Sequence, residues 1–224
     1  MSHATPTVFV VDDDVSVRES LKLLIDSAGL RPQTFASAHE FLSCPRSIAP
    51  SCLVLDVTLP DLNGLELQKR ITADRIDMPI IFISGYGNVP MTVQAMKAGA
   101  VDFLTKPFGS DVLLNAIRHA IERSQTAIGH EAEMQILRDC HALLSLRERE
   151  VMALVVSGLL NKQVGSELGI SEITVKAHRG QAMRKMKARS LPHLVRMSEK
   201  LSLAPAVKSR IGTQTPLVVV QARH

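Results

Sequence analysis

The run Leu53-Val54-Leu55-Asp56-Val57-Thr58-Leu59-Pro60-Asp61-Leu62-Asn63-Gly64 constrains this chain more than any other stretch. Its first three residues are apolar and partly β-branched, as a strand buried on both faces requires. Asp56 stands where that strand gives out. Pro60, Asn63 and Gly64 then turn the chain, and Leu65-Glu66-Leu67 opens a helical pattern. A carboxylate at the C-terminal end of a parallel strand projects into the crevice where open α/β sheets bind ligands. Taken alone, such an Asp also fits a surface cap on a strand-to-helix loop. Its company elsewhere in the chain decides between the two.

Four more strands surround it in sequence. Thr7–Val11 runs into Asp12-Asp13-Asp14, Arg31–Phe35 is short, Pro79–Ser84 ends in a hydroxyl, and Val101–Thr105 ends at Lys106-Pro107. Helical spacing occupies Val17–Leu24, the region of Phe41 and Leu42 after a capping Ser37, Leu65–Ile71, Val89–Ala98 and Asp111–Arg123. Strand and helix in alternation, with short connections, predict an α/β fold: a doubly wound, five-stranded parallel sheet covered on both faces. Asp12, Asp13, Asp56, Ser84 and Lys106 should then converge at one edge of the sheet. Three carboxylates so placed resist ionisation unless a cation intervenes. A hard divalent ion with oxygen ligands, Mg²⁺, meets that need and shares itself with phosphate oxygens. An oxygen nucleophile, a metal, the Lys106 ammonium and the Ser84 hydroxyl are what phosphoryl transfer asks for. No Gly-rich nucleotide loop is present, so the phosphoryl group must come from another molecule.

Beyond Asp111 the helical pattern continues through Ile128, Met134 and Leu137, interrupted by Gly129 alone, which predicts a linker helix, straight or hinged there. A small helical domain follows. Ser145-Leu146-Arg147-Glu148 is a capping box, Gly158 ends that helix, and Asn161 starts the next. Gly169-Ile170-Ser171 is a turn, and Ser171 caps a third helix holding Ile173, Val175, Met183 and Met186. Six Lys/Arg against one acid lie between Glu172 and Arg189. Helix, short Gly turn and basic helix form the helix-turn-helix pattern; a helical bundle with a basic solvated face is the plainer reading. A fourth helix carries Leu194, Met197 and Leu201.

Charge supports two jobs. Residues 1–123 carry 11 Lys/Arg against 14 Asp/Glu, and residues 124–224 carry 15 against 8, so the second half suits a polyanion. Three Cys without C-x-x-C spacing argue against a disulfide framework or a zinc site and for a reducing cytoplasm. No apolar run is long enough for a bilayer, and the N-terminus lacks a secretory pattern.

Four motifs carry a resemblance over residues 5–123: Val-Val-Asp12-Asp13-Asp14, Leu55-Asp56-x-x-Leu-Pro60-x-x-Asn-Gly64, Ile-Ser84-Gly and Asp102-Phe103-Leu-x-Lys106-Pro107-Phe108. This stretch resembles the receiver domain of two-component response regulators of the FixJ type, which has a flavodoxin-like fold. The resemblance implies Asp56 as phosphoacceptor, Asp13 and Asp56 as direct Mg²⁺ ligands with the Thr58 carbonyl, Asp12 acting through water, and Ser84 and Lys106 meeting the phosphoryl group. It also implies a cis Lys106-Pro107 bond. Residues 140–203 resemble the LuxR-type DNA-binding domain through Gly158-Leu-x-Asn161-Lys-Gln-Val, Leu168-Gly-Ile-Ser171-Glu-x-Thr174-Val-Lys176-x-His178-Arg179 and Met183-x-Lys185-Met. By that resemblance Thr174, Lys176, Ala177, His178, Arg179 and Gly180 face the operator. Lys176 and Arg179 are the base-reading candidates, and His178 and Lys162 the phosphate contacts. Gly165 and Gly180 depart from the pattern and should weaken their helices.

The expected organisation is a receiver over 1–123, a helical linker over 124–142, the DNA-binding domain over 143–203 and a disordered tail over 204–224. The expected function is a transcription regulator, an activator in the usual case, phosphorylated by a histidine kinase. It would dimerise when phosphorylated, bind promoter DNA and meet RNA polymerase. Two alternatives stand: an Asp- and Mg²⁺-dependent phosphatase of the haloacid-dehalogenase type, using the Asp12-x-Asp14 spacing, and a regulator that binds DNA without phosphorylation.

Overall fold

The computed structural model describes residues 5–45, 49–73 and 78–201, and the expected tail over 204–224 lies outside them. The chain divides into two compact units, Met1–Ala132 and Glu133–His224.

In the first unit five parallel strands, β1 (Thr7–Val11), β2 (Arg31–Phe35), β3 (Ser51–Asp56), β4 (Ile80–Ser84) and β5 (Asp102–Thr105), lie in the order β2-β1-β3-β4-β5. The helices between and after them are α1 (Val15–Ser27), α2 (Ala38–Ser43), α3 (Gly64–Ala73), α4 (Val89–Lys97) and α5 (Ser110–Ala142). Every residue of β1, β3 and β4 is buried, which is why those strands read as continuous apolar runs. Alternate side chains then feed two cores. Phe9, Val11, Leu53, Leu55 and Phe82 pack with Phe41 of α2, Leu67 and Ile71 of α3 and Ala95 of α4. Val8, Val10, Cys52, Val54, Ile81 and Ile83 pack with Leu21 and Ile25 of α1 and with Leu113 and Ile117 of α5. The doubly wound sheet expected from the sequence is thus present, with two helices on one face and three on the other.

Caps set the helix starts. Ser37 accepts from the Glu40 N–H, and Asn88 accepts from the Met91 N–H. Asp14 accepts from the Ser16 N–H and so opens α1. α5 continues as one helix through Gly129, where an added Cβ would meet nothing.

The second unit holds α6 (Leu146–Val156), α7 (Asn161–Leu168), α8 (Glu172–Lys185) and α9 (Leu191–Lys200). The capping box forms in full: the Ser145 hydroxyl accepts from the Glu148 N–H and the Glu148 carboxylate from the Ser145 N–H. Val151, Val155, Val164 and Val175 make one small core; Cys140, Leu144, Met152, Ala182, Met186 and Leu194 make the other.

One expectation for this unit needs correction. Gly165 is not a weak point of α7: a Cβ there would stand 2.7 Å from the Ile170 carbonyl oxygen, so the α7–α8 turn requires the missing side chain. In α8 Ile173 is 81% exposed, while Val175 is fully buried.

Candidate functional site

The strand register gathers the polar groups. Val11 pairs with Leu55, so Asp12 and Asp56 leave neighbouring strands side by side. Asp56 pairs with Ile83, and Ser84 with Thr105, which places Ser84 next along the edge and Lys106 one step beyond. The order of strands reverses between β1 and β3, the kind of switch point at which open α/β sheets bind ligands.

The side chains meet there. The Lys106 ammonium donates to Asp12 Oδ2 and to Asp56 Oδ2, each at 2.7 Å. The second oxygens are used by the backbone: Asp12 Oδ1 accepts from the Asp14 N–H, and Asp56 Oδ1 from the Thr58 N–H, both at 2.9 Å. Asp12, Asp56 and Ser84 are buried, whereas Asp13 and Thr58 are exposed. Ser84 Oγ accepts from the N–H of Tyr86, a side chain 87% exposed in the following loop. The Lys106-Pro107 bond is cis, as expected.

Burial pushes the Asp12 carboxyl above the ordinary carboxylate range, and the Lys106 hydrogen bond only partly offsets this. For Lys106 burial works the other way, but its two carboxylate partners win and hold the ammonium charged. Three carboxylates and one ammonium leave an excess of negative charge. Oxygen atoms of Asp12, Asp13 and Asp56 lie within 4.8 Å of one another, close enough to share one cation. An all-oxygen set with a solvent-facing member fits a hard divalent ion that keeps some of its waters.

Three positioning features were not legible in the sequence. Arg18 Nη1 donates to the carbonyl oxygens of Asp12 at 2.7 Å and Asp13 at 2.8 Å, which pins the β1–α1 loop to α1. Nothing in the sequence separates that arginine from a solvated one. A Cβ on Gly64 would stand 2.5 Å from the Asp56 carbonyl oxygen, so α3 begins hard against the end of β3. A Cβ on Gly87 would stand 2.5 Å from Thr105 Cγ2 and 3.1 Å from Phe103 Cε1, so the loop after Ser84 lies on β5.

In the second unit Lys162, Lys176, Ala177 and Gly180 are exposed, and Thr174, His178 and Arg179 are half-buried. Lys176 pairs with Glu172 at 2.9 Å, one helical turn away. Arg179 donates to Asn161 Oδ1 at 3.1 Å, which ties α8 to the start of α7. Lys185 donates to Glu148 at 2.7 Å, and this partner holds the glutamate, whose side chain is 8% exposed, below the usual carboxylate range.

An α/β domain of this order, with these strand-end groups and a helix-turn-helix in the same chain, is a response regulator. Residues 8–118 match the response regulator receiver domain, and residues 142–198 match the bacterial regulatory proteins of the luxR family. The chain belongs to the two-component response regulators with a LuxR-type DNA-binding domain. It is 51% identical to nodulation protein W of Bradyrhizobium diazoefficiens over 88% of this chain and 87% of that protein. It is 44% identical to the transcriptional regulatory protein FixJ of Rhizobium meliloti, over 86% of this chain and 94% of that one. Among solved structures, the response regulator StyR is similar at a TM-score of 0.80 and 46% identity, covering 88% of this chain and all of that one.

Proposed function

We propose that Asp56 accepts a phosphoryl group from a partner histidine kinase and that this charge switches promoter binding by the second unit. One observation carries the assignment: Asp56 is the carboxylate that shares Lys106 with Asp12 at the strand switch point. Asp56 Oδ would attack phosphorus in line, and the donor's histidine nitrogen would leave with the bonding pair. Lys106 would pass from the carboxylate to the incoming phosphoryl oxygens, and Ser84 would donate its hydroxyl to them. Asp13, Asp56 and the Thr58 carbonyl would hold Mg²⁺, with Asp12 through water; the ion supplies charge neutralisation.

The resulting shift is read at α4, β5 and α5, where two receivers pair. Val89, Val93 and Met96 support this, since they expose an apolar stripe at helical spacing on α4. Pairing presents two copies of α8 to paired half-sites. Lys176, Thr174, Ala177, Arg179 and Gly180 would face the operator, and Lys162 and His178 the phosphates. We read the chain as a cytoplasmic activator that meets RNA polymerase at the promoter. It is a switch rather than a turnover enzyme. Among the described residues no helix is long and apolar enough to cross a membrane.

The test is Asp56→Asn. Treated with acetyl phosphate and Mg²⁺, the parent chain should become dimeric and bind its own upstream DNA more tightly. The variant should keep its circular dichroism and stay unresponsive; a variant that still dimerises on treatment would refute the assignment. Steady turnover of a generic phosphate ester would favour the phosphatase reading instead.

A further inference from the structure

We infer that Ile173 reads sequence, by packing against the 5-methyl group of a thymine in the major groove. This rests on the reading of α8 as the helix that enters the groove.

Ile173 occupies the first turn of α8, the end from which a recognition helix reaches base edges. It is 81% exposed. At 3.6 residues per turn Ile173, Ala177, Gly180 and Arg184 project within about 60° of arc. All four are exposed, and they lie opposite Val175, Ala182 and Met186, through which α8 is packed. An isoleucine in that stripe contributes nothing to the core.

Gly180 points the same way. Glycine inside a helix is unfavourable, and here no neighbour demands it, because an added Cβ would meet nothing within 4 Å. With Ala177 it forms a flat stretch of helix that lets the backbone approach another surface closely. A groove floor lying against that stretch puts Ile173 in reach of a base edge. Of the groups displayed there, the thymine methyl is the apolar one.

Three polar side chains of the helix are engaged within the protein. Lys176 is paired with Glu172 at 2.9 Å and Arg179 with Asn161 at 3.1 Å, and the Thr174 hydroxyl shares a hydrogen bond with that of Ser171 at 2.8 Å. Arg179 is also half-buried and projects about 120° from Ile173, within about 20° of the direction of the buried Met186, so it lies outside the exposed arc.

The experiment begins with the full chain, treated with acetyl phosphate and Mg²⁺, enriching binding sites from a random duplex pool. Each thymine of the enriched motif is then replaced by deoxyuridine, which pairs identically and lacks only the methyl group. At one thymine per half-site the replacement should weaken binding about fourfold, the effect of roughly one buried methyl group. Ile173→Ala should bind both duplexes equally, and Ile173→Val should keep the discrimination; circular dichroism checks that both are folded. An enriched motif with no methyl discrimination, or discrimination that survives in Ile173→Ala, overturns the assignment and leaves DNA binding standing. A pool that yields no enriched duplex removes the reading of α8 and the role of Ile173 with it.

Discussion

Single side chains in this protein act mostly by holding backbone in place. Arg18 spends its guanidinium on two carbonyl oxygens rather than on a carboxylate. Arg18→Ala should therefore loosen the loop that carries Asp12 and Asp13, lowering the phosphorylation rate by acetyl phosphate while leaving the melting temperature nearly unchanged. Gly64 and Gly165 work by what they lack. Gly64→Ala and Gly165→Ala each force a Cβ against a carbonyl oxygen, at 2.5 Å and 2.7 Å, and should each cost about 1–3 kcal/mol, measured by urea denaturation. Glu148 supplies a pH signature. Its folded-state pKa is depressed by Lys185, so its contribution is present above the ordinary glutamate pKa of about 4.3 and is lost as pH falls through the folded value. The second unit should weaken on acidification, and Glu148→Gln should be less stable at neutral pH with a flatter profile below pH ~4.3. Urea midpoints across pH would check this.

At the scale of elements, strand ends were readable from the sequence and helix faces only in part. The sheet was legible because β1, β3 and β4 are buried on both faces, and a continuous apolar run bounded by turns admits few other readings. Once those strands are parallel, register alone brings Asp12, Asp56, Ser84 and Lys106 together. Arg18 was not legible, since a guanidinium that reaches back to two carbonyls leaves no pattern in composition or spacing. The α8 face is legible only in part: Ile173 and Val175 project about 200° apart on a helix, so one of them must face outward, and packing decides which. Gly165 looked like a defect because the close approach of Ile170 is a tertiary fact. Gly180 belongs with the exposed arc instead. Gly180→Ala should stabilise α8 by about 1 kcal/mol while weakening operator binding, a pair of changes that thermal unfolding and gel shift would separate.

For the whole molecule, two sets of cores imply two unfolding events, since each unit buries its own apolar residues. Adding Mg²⁺ should raise the midpoint of one transition only, by about 2.7 kcal/mol of stabilisation at a hundredfold excess over its dissociation constant, and EDTA should reverse it. Calorimetry would show both. A basic second half predicts that promoter affinity falls steeply with added salt. Tyr86 gives the experimenter a further handle. The chain has no tryptophan and this single tyrosine, whose backbone is tied to Ser84. Excited at wavelengths that phenylalanine does not absorb, the chain therefore emits from one residue, seated in the loop beside the acceptor. Without any label, that light should change in intensity as the site fills, and nothing elsewhere in the molecule can dilute the signal.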